Sequence, residues 1–282
     1  MNTEPDTAPE HWLSVRVRPG SNRDAVLAAL FAVGAQGVQE VGDQFVTLLS
    51  SPRSADDVSC AVLAASPDAT VETEETPRVD WTERWKEALH VQRVGPLAIA
   101  PPWLAAGENP DHTIVIEPGM AFGTGEHPTT RGVVRLLPGA LHAGSRVADL
   151  GAGSAVLSIA AAKLGAGHAF AIELDPDAIG NAEENVARNG VANRVTVLEG
   201  DAASLLPLVA PVDLVLANII SSVIRELLPV IDEAVADDGS AILSGILREE
   251  LPDILNAIAS VGWRVDREDF EDIWCSGAIV RR

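Results

Sequence analysis

Cysteine is scarce in this chain. The two cysteines, Cys60 and Cys275, stand far apart and form no C-x-x-C pair. Structural zinc sites and the disulfide frameworks of secreted proteins need clustered or regularly spaced cysteines. The sequence therefore predicts neither a metal centre nor a disulfide framework, and both side chains are expected to be inert thiols.

Long apolar runs and basic residues are also in short supply. No run reaches the roughly 18 apolar residues of a membrane span, and the first ten residues lack a basic-then-apolar signal pattern. A cytoplasmic protein without membrane contact is therefore expected. Lysine and arginine total 20 against 41 aspartates and glutamates, which gives a net charge of −21. This charge repels nucleic-acid phosphates, so no direct nucleic-acid binding is expected. Its long-range field would favour a basic partner, although on composition alone solubility is the better explanation of the acidity.

The chain is organised around residues 146–175. This stretch predicts a buried strand, a glycine turn with Gly151 and Gly153, a helix at 155–164, and a second strand that ends on Glu173. A Gly-x-Gly turn lets the backbone approach a ligand closely, and a carboxylate about 20 residues further on can hold both hydroxyls of a ribose. The pattern therefore predicts a nucleoside-type cofactor site.

The turn does not fit a dinucleotide. The fingerprint G-x-G-x-x-G needs a third glycine, whereas Ala155 and Val156 follow Ser154 here. Asp149, just before the turn, would repel a pyrophosphate but could receive the ammonium of a methionine moiety. S-adenosylmethionine is therefore favoured. A nicotinamide-dependent oxidoreductase and a non-catalytic module that only binds the cofactor remain as rivals.

The N-terminal part predicts a separate small domain at residues 1–76. Its pattern predicts strand 13–17, helix 24–32, a short strand near Val38, strand 45–49, helix 55–65 and a strand near Val71. This β-α-β-β-α-β order is the split ferredoxin-like α+β unit. The unit has no cluster of catalytic residue types, so we interpret it as a recognition module, with a purely structural or regulatory domain as the alternative.

Residues 77–117 are predicted to form a linker. Asp80 to Lys86 can form a short helix with Trp81 and Trp85 on one face, where they would anchor the linker by packing. Pro101-Pro102 and a polar segment after it then indicate extended or turning chain.

A second glycine-rich segment follows the linker. Gly119, Gly123 and Gly125 within so short a loop imply tight turns or close approach of the backbone to a neighbour. The segment is no phosphate-binding P-loop, because it contains no Gly-Lys-Ser/Thr. A helix is predicted from Pro128, with Thr130 near its start. A lone loop histidine is more often a hydrogen-bonding residue than a base, so His127 is assigned no catalytic role.

The remaining chain alternates strands and helices, which predicts a parallel sheet flanked by helices. In such sheets, ligands bind beyond the carboxyl ends of the strands. Gly151, Glu173, Asp201 and Asn218 all follow or end predicted strands. These four residues form the candidate site.

Several motifs together resemble the ribosomal protein L11 methyltransferase (PrmA) family. They are M-A-F-G-T-G-E-H-P-T-T at 120–130, D-L-G-A-G-S at 149–154, I-E-L-D-P at 172–176, L-A-N-I-I at 216–220 and W-T-E-R-W-K at 81–86. The first is highly specific, whereas D-x-G-x-G-S marks S-adenosylmethionine methyltransferases generally. The resemblance implies a substrate-binding N-terminal domain, a flexible linker, and a class I Rossmann-like methyltransferase domain at 118–282 with a seven-stranded, mostly parallel sheet.

The resemblance also implies roles for the site residues. Thr130 would contact the methionine end of S-adenosylmethionine, Gly151 with Gly153 would form the backbone turn, and Glu173 would hold the ribose. Asn218, as the catalytic residue, would lie between the cofactor and the incoming amine. From its position after the third strand, Asp201 is expected near the adenine. Two positions depart from the family pattern, because Ala155 stands where a glycine is usual and Glu173 where an aspartate is common.

The expected substrates are lysine ε-amines of a basic ribosomal protein, L11, with its N-terminal α-amine as a further target. Enzymes that methylate planar amides or exocyclic amines resemble one another in carrying Asn-Pro-Pro-Tyr after the fourth strand. This chain has Asn218-Ile219-Ile220-Ser221 there, which favours an aliphatic amine. Another protein or a small-molecule amine is the alternative substrate, and a monomer is expected.

Overall fold

The computed structural model describes residues 11–35, 37–49, 54–77, 89–118, 123 and 125–282. The chain divides into two compact units, residues 1–88 and residues 89–282. Each unit has its own buried apolar core. The predicted helix at 80–86 and Gly119 lie outside the described residues.

The first unit is a two-layer α+β fold. Its elements are β1 His11–Arg18, α1 Arg23–Ala32, β2 Gln39–Val41, β3 Gln44–Leu49, α2 Ala55–Ala65 and β4 Thr70–Pro77. The antiparallel sheet has the order β2-β3-β1-β4, which is the predicted split ferredoxin-like arrangement. Alternate residues of β1 face the helices, so Leu13, Val15 and Val17 share a core with Val26 and Val58.

Residues 89–117 differ from the predicted linker. They contain the strands β5 Gln92–Val94, β6 Leu97–Ala100 and β7 Thr113–Val115, which form a sheet in that order. Val94, Leu97, Ile99 and Ile114 are buried in the core of the second unit. Strands of three or four residues are too short to give a periodic signal, and Pro101-Pro102 interrupts the apolar pattern between two of them.

The second unit is built on a seven-stranded sheet. Its strands are β8 Arg146–Leu150, β9 His168–Glu173, β10 Val195–Glu199, β11 Val212–Asn218, β12 Val235–Leu247, β13 Trp263–Glu271 and β14 Trp274–Arg281. The order is β10-β9-β8-β11-β12-β14-β13. Strand β14 pairs antiparallel with β12 and β13, whereas the other neighbours pair in parallel. The predicted Rossmann-like, mostly parallel sheet is confirmed.

Helices cover both faces of this sheet. They are α3 Pro128–Leu136, α4 Val156–Lys163, α5 Pro176–Arg188, α6 Ala202–Val209, α7 Ser221–Ala234 and α8 Leu251–Ser260. Leu214 and Leu216 of β11 share a core with α3, α4 and α5, whereas Val215 and Ala217 share the opposite core with α6, α7 and α8. Burial on both faces explains why β11 is a nearly continuous apolar run. Among the described helices, none is long and apolar enough to cross a bilayer.

The strand order places a ligand crevice above β8 and β11. From β8 the chain builds outwards to β9 and β10, and then returns to add β11 and β12 on the other side of β8. The connections on the two sides leave in opposite directions, which opens a crevice at the carboxyl ends of these strands.

Candidate functional site

A cavity of about 770 Å³ lies at this edge of the sheet. Its described walls come from the carboxyl ends of β8 to β12, the starts of α3 and α5, the first turns of α6 and α7, and the start of β14. The lining residues include Gly151, Gly153, Glu173, Asp201, Asn218, Gly245 and Trp274. Five neighbouring strands at about 4.8 Å spacing make the floor roughly 19 Å wide. The cavity is therefore large enough for a nucleoside and an attached amino-acid chain.

The glycine turn after β8 is bent by left-handed residues. Gly151, Gly153 and Ala155 have φ values of 69°, 52° and 62°. A Cβ on Gly151 would lie 2.5 Å from Cγ2 of Ile219, so the loop after β11 packs directly on the backbone of the turn. Only glycine fits at Gly151 without displacing that neighbour, whereas Ala155 accepts a backbone conformation that costs about 1–2 kcal/mol for a residue with a Cβ.

Glu173 is tied to this turn. Its Oε2 accepts a hydrogen bond from the Gly153 N–H at 2.7 Å, and its Oε1 accepts one from the Asp175 N–H at 2.9 Å. A carboxylate offers about four lone-pair directions, so two remain for hydroxyl donors from a ligand. The carboxylate is thereby oriented for a vicinal diol in the cavity.

Asp201 lies at the next strand end and serves as the N-cap of α6. Its Oδ2 accepts from the Ser204 N–H at 3.0 Å and from the Ser204 hydroxyl at 2.9 Å. Capping fixes the side chain, which also lines the cavity. Glu173 and Asp201 therefore stand at adjacent strand ends, on the side of the cavity formed by β9 and β10.

The sequence suggested that Asp149 could receive the ammonium of a methionine moiety in the cavity, but its side chain lies elsewhere. It is fully buried behind the turn, where its Oδ2 accepts from the N–H and the hydroxyl of Ser158 on α4. Oδ1 has no partner within the described structure. Burial, with a smaller contribution from the charge of Glu173, raises the pKa of this carboxyl to about 7, against the two hydrogen bonds from Ser158. Asp149 is not among the described residues that line the cavity.

Asn218 and Thr130 are neighbours. Asn218 is among the described residues that line the cavity, whereas Thr130 is not. The Asn218 Nδ2 lies 3.4 Å from Oγ1 of Thr130, which is fully buried behind it. With its amide nitrogen directed at Thr130, Asn218 has its carbonyl oxygen available as an acceptor. The predicted contact of Thr130 with the cofactor stays a prediction, and the structure gives Thr130 a place behind Asn218.

Among the lining residues that were not foreseen from the sequence are His127, Thr129 and Trp274. The His127 Nδ1 lies 2.7 Å from Oγ1 of Thr129 and caps α3, and the ring meets Trp274 edge-on at 5.0 Å. Burial and the charge of Arg131 lower the pKa of the His127 imidazole, against the opposing charge of Glu271, and the lowered pKa favours the neutral ring. The position of His127 between a glycine-rich loop and Pro128 was a usable signal, whereas nothing in the sequence marks Trp274.

Helix α3 is held in place by charged groups outside the cavity. Arg135 donates to both carboxylate oxygens of Asp269 on β13, at 2.7 and 2.5 Å. Arg131 donates through Nε to Glu271 at 3.0 Å and through Nη1 to the carbonyl oxygen of Glu126. The two guanidinium groups hold the pKa of Glu271 below its usual range. This network fixes α3, and with it His127, against the sheet.

The charge of the cavity is one-sided. Among the described residues that line it are four carboxylates, Glu173, Asp175, Asp201 and Glu226, and neither a lysine nor an arginine. These side chains would repel an anionic ligand such as a pyrophosphate, whereas they would attract a cationic ligand. Within the described part of the chain, no group of three His, Cys, Asp or Glu residues could hold a metal ion.

Comparison with known proteins agrees with this geometry. The family model described as "Ribosomal protein L11 methyltransferase (PrmA)" matches residues 12–282. The ribosomal protein L11 methyltransferase of Thermus thermophilus is 39% identical over 201 residues, which cover 71% of this chain and 77% of that protein. That of Pelotomaculum thermopropionicum is 35% identical over 272 residues, covering 95% and 83%.

A solved structure agrees as well. The crystal structure of a ribosomal protein L11 methylase from Lactobacillus delbrueckii subsp. bulgaricus is 33% identical and superposes with a TM-score of 0.62, covering 69% of this chain and 100% of the other. The sequence match spans both units. The motifs at 149–154, 172–176 and 216–220 each contain residues that line the cavity. The chain belongs to the ribosomal protein L11 methyltransferase family.

Proposed function

We propose that the cavity binds S-adenosylmethionine and that the protein transfers its methyl group to amines of ribosomal protein L11, chiefly lysine ε-amines and also the N-terminal α-amine. The observation that carries the proposal is the charge of the cavity. Four carboxylates and no lysine or arginine among its described lining residues suit a cationic cofactor and a cationic substrate side chain. The family's name supports the choice of substrate.

The described residues fit this cofactor. Glu173, held by two backbone N–H groups, would accept the ribose hydroxyls, and Asp201 at the next strand end would lie near the adenine. Gly151 and Gly153 would allow the methionine part to pass close to the turn. When bound, S-adenosylmethionine supplies a methyl group on a positively charged sulfur. The described lining of the cavity contains no lysine or arginine that could neutralise a pyrophosphate, which argues against the nicotinamide alternative.

The other half of the cavity would hold the amine. It is lined by Asn218, Ile219, Ile220, Val223, Leu227 and Trp274. Apolar side chains around the amine disfavour its charged form and lower its pKa from the usual value of about 10.4. The Asn218 carbonyl oxygen can accept a hydrogen bond from the amine and so direct the nitrogen lone pair towards the methyl group. A neutral His127 adds no charge that would repel the incoming cation.

Glu226 has a distinct place in this half. Its carboxylate lines the cavity from α7 and makes no hydrogen bond or ion pair within the described structure. Glu173, Asp175 and Asp201 are by contrast engaged by backbone N–H groups. Glu226 would therefore attract a protonated lysine to the mouth of the cavity. The proton that the amine must lose would pass to water.

The first unit is proposed as the module that recognises the substrate protein. It has a complete ferredoxin-like fold of its own but does not contribute to the described cavity walls. The net charge of −21 supports a basic partner and argues against direct binding of nucleic acid. We propose a monomeric enzyme that acts in the cytoplasm.

The test is a transfer assay with methyl-labelled S-adenosylmethionine. The chain is incubated separately with purified ribosomal protein L11, with the other ribosomal proteins, with ribosomal RNA and with free lysine. We expect label in L11 alone. Label in another protein or in free lysine would favour the alternative substrate, label in RNA would contradict the proposal, and no label in any reaction would favour a non-catalytic module. Calorimetry with NAD and with S-adenosylmethionine tests the oxidoreductase alternative. The proposal expects binding of S-adenosylmethionine, whereas the alternative expects binding of NAD.

A further inference from the structure

Helix α5 carries a polar stripe whose asparagines are buried or half-buried against the rest of the second unit. The stripe consists of Asn181, Asn185, Arg188 and Asn189, at helical positions i, i+4, i+7 and i+8, which share one face. Such a polar face normally indicates a solvated surface. Here Asn185 is fully buried. Buried amides need partners, so the stripe has a structural task.

The stripe holds the chain where it leaves β7. The Asn189 side chain accepts from the Val115 N–H at 2.8 Å and donates to the Val115 carbonyl at 2.7 Å, as a neighbouring strand would. One turn earlier, Oδ1 of Asn185 accepts from the Glu117 N–H at 2.9 Å. Asn181 donates to the Glu117 carbonyl at 3.4 Å. The stripe thus extends backbone pairing towards the glycine-rich segment that begins at residue 119.

Val115 and Glu117 depend on the stripe to different degrees. Strand β7 pairs with β6, and the N–H of Ile116 still donates to the carbonyl oxygen of Ala100 at 3.0 Å. The position of Val115 is therefore also set by β6. Glu117 lies beyond this last bond, and its N–H is held by Asn185.

Asn185 also holds the glycine turn. Its Nδ2 donates to the carbonyl oxygen of Ser154 at 3.2 Å. That carbonyl has no partner inside α4, because the N–H of Ser158, four residues on, donates to Asp149 instead. One buried amide therefore joins the backbone of Glu117 to the backbone that follows Gly153.

The glycine-rich segment rests on the same turn. The Ser154 hydroxyl donates to the carbonyl oxygen of Gly123 at 2.7 Å. A Cβ on Gly123 would lie 2.7 Å from that hydroxyl oxygen, so the two backbones approach as closely as a glycine permits. Ser154 is thus held by Asn185 through its carbonyl and holds Gly123 through its hydroxyl.

We infer that Asn185 is a positioning residue for the cofactor cavity, through its bonds to Glu117 and Ser154. It sets the spacing between the glycine-rich segment and the turn that carries the Gly153 N–H and, through it, Glu173. Asn185 is not among the described lining residues, so it acts through the backbone that it holds. The inference rests on the proposed function, namely that this cavity binds S-adenosylmethionine.

The test compares Asn185→Ala with Asn189→Ala. Both variants remove a bridging amide from the same face of α5, but only the first releases the glycine turn. Calorimetry with S-adenosylhomocysteine measures affinity, at a temperature where thermal unfolding shows both variants folded. We expect the Kd to rise about tenfold or more for Asn185→Ala and less than about twofold for Asn189→Ala, although both lower the Tm. Hydrogen exchange of the Gly153 amide should speed up in Asn185→Ala only.

A second variant covers the case in which Asn185→Ala does not fold. Ser154→Ala removes only the hydroxyl that holds Gly123, and it too should raise the Kd for S-adenosylhomocysteine. Equal changes in Kd for the Asn185 and Asn189 variants, or unchanged affinity in both Asn185→Ala and Ser154→Ala, would overturn the inference while leaving the proposed function intact. Failure of the wild type to bind S-adenosylhomocysteine would instead overturn the proposed function.

Discussion

Replacing Asp149 with asparagine should remove a pH-dependent loss of stability from the protein. The carboxyl is fully buried, and one of its oxygens has no partner in the described structure. An asparagine has the same shape, and its carbonyl oxygen can accept both hydrogen bonds from Ser158. The substitution therefore removes the ionisation and leaves the packing in place.

The size of the effect follows from the pKa of this carboxyl, which burial raises from 3.8 to about 7. A difference of about three pKa units corresponds to about 4 kcal/mol of unfolding free energy. The folded state keeps the proton longer than the unfolded state does, so ionisation costs stability. The cost is absent below about pH 4, grows as the pH rises to about 7, and is complete above that. Between pH 5 and pH 8 the unfolding free energy of the wild type should fall by about 2–3 kcal/mol through this carboxyl, a loss that the variant does not show.

Urea unfolding at pH 5 and at pH 8 measures this difference. Asp237→Asn, at an exposed position, makes the same change in net charge and serves as the control. The uncharged amide nitrogen of the Asp149 variant also lacks a partner, which adds an offset that does not depend on pH. The reasoning is refuted if the wild type and Asp149→Asn show the same change in unfolding free energy between the two pH values.

Three further substitutions test the cavity. Asn218→Ala should lower kcat by on the order of 10²-fold in the transfer assay, because the amine loses the acceptor that orients it. The Kd for the cofactor should change little. An unchanged kcat would contradict this role of Asn218. Gly190→Ala should cost about 1–2 kcal/mol in urea unfolding, because it forces a Cβ into a left-handed conformation. Gly151→Ala carries this cost and also pushes a Cβ against Ile219 at the cavity, so it should be the less stable of the two and only it should lose cofactor affinity by calorimetry. Glu226→Gln should raise the KM for a lysine-containing substrate about threefold or more at low salt and much less at high salt. The control, Glu233→Gln at an exposed position on the same helix, should leave the KM unchanged. Equal KM values for the two variants would count against an attracting role for Glu226.

The parts of the fold that local chemistry determines could be predicted from the sequence. The strands at 146–150 and 168–173 have their predicted bounds, because glycine turns and a change of hydrophobic period mark both ends. Glu173, Asp201 and Asn218 were predicted to come together because they stand at the ends of strands in one parallel sheet, and all three line the cavity. The local sequence marks where each strand ends, and the order of the strands in the sheet then brings these ends together.

Features that depend on tertiary contacts were not predictable. Strands β5 to β7 are too short for a periodic signal and are stabilised by the core they join. Successive residues of α3 face different ways, so the sequence could not tell which of Thr129 and Thr130 lines the cavity. Trp274 reaches the site from a distant hairpin. The stripe with Asn185 has the composition of an exposed helix face, and only its burial reveals its partners.

The most direct measurement is mass spectrometry of purified ribosomal protein L11 after incubation with the protein and S-adenosylmethionine. We expect mass increases in whole methyl groups, located by fragmentation at lysine side chains and at the N-terminal amine, and greatly slowed when Asn218→Ala replaces the wild type. An L11 spectrum that does not change, in a sample shown by calorimetry to bind S-adenosylmethionine, would contradict the account.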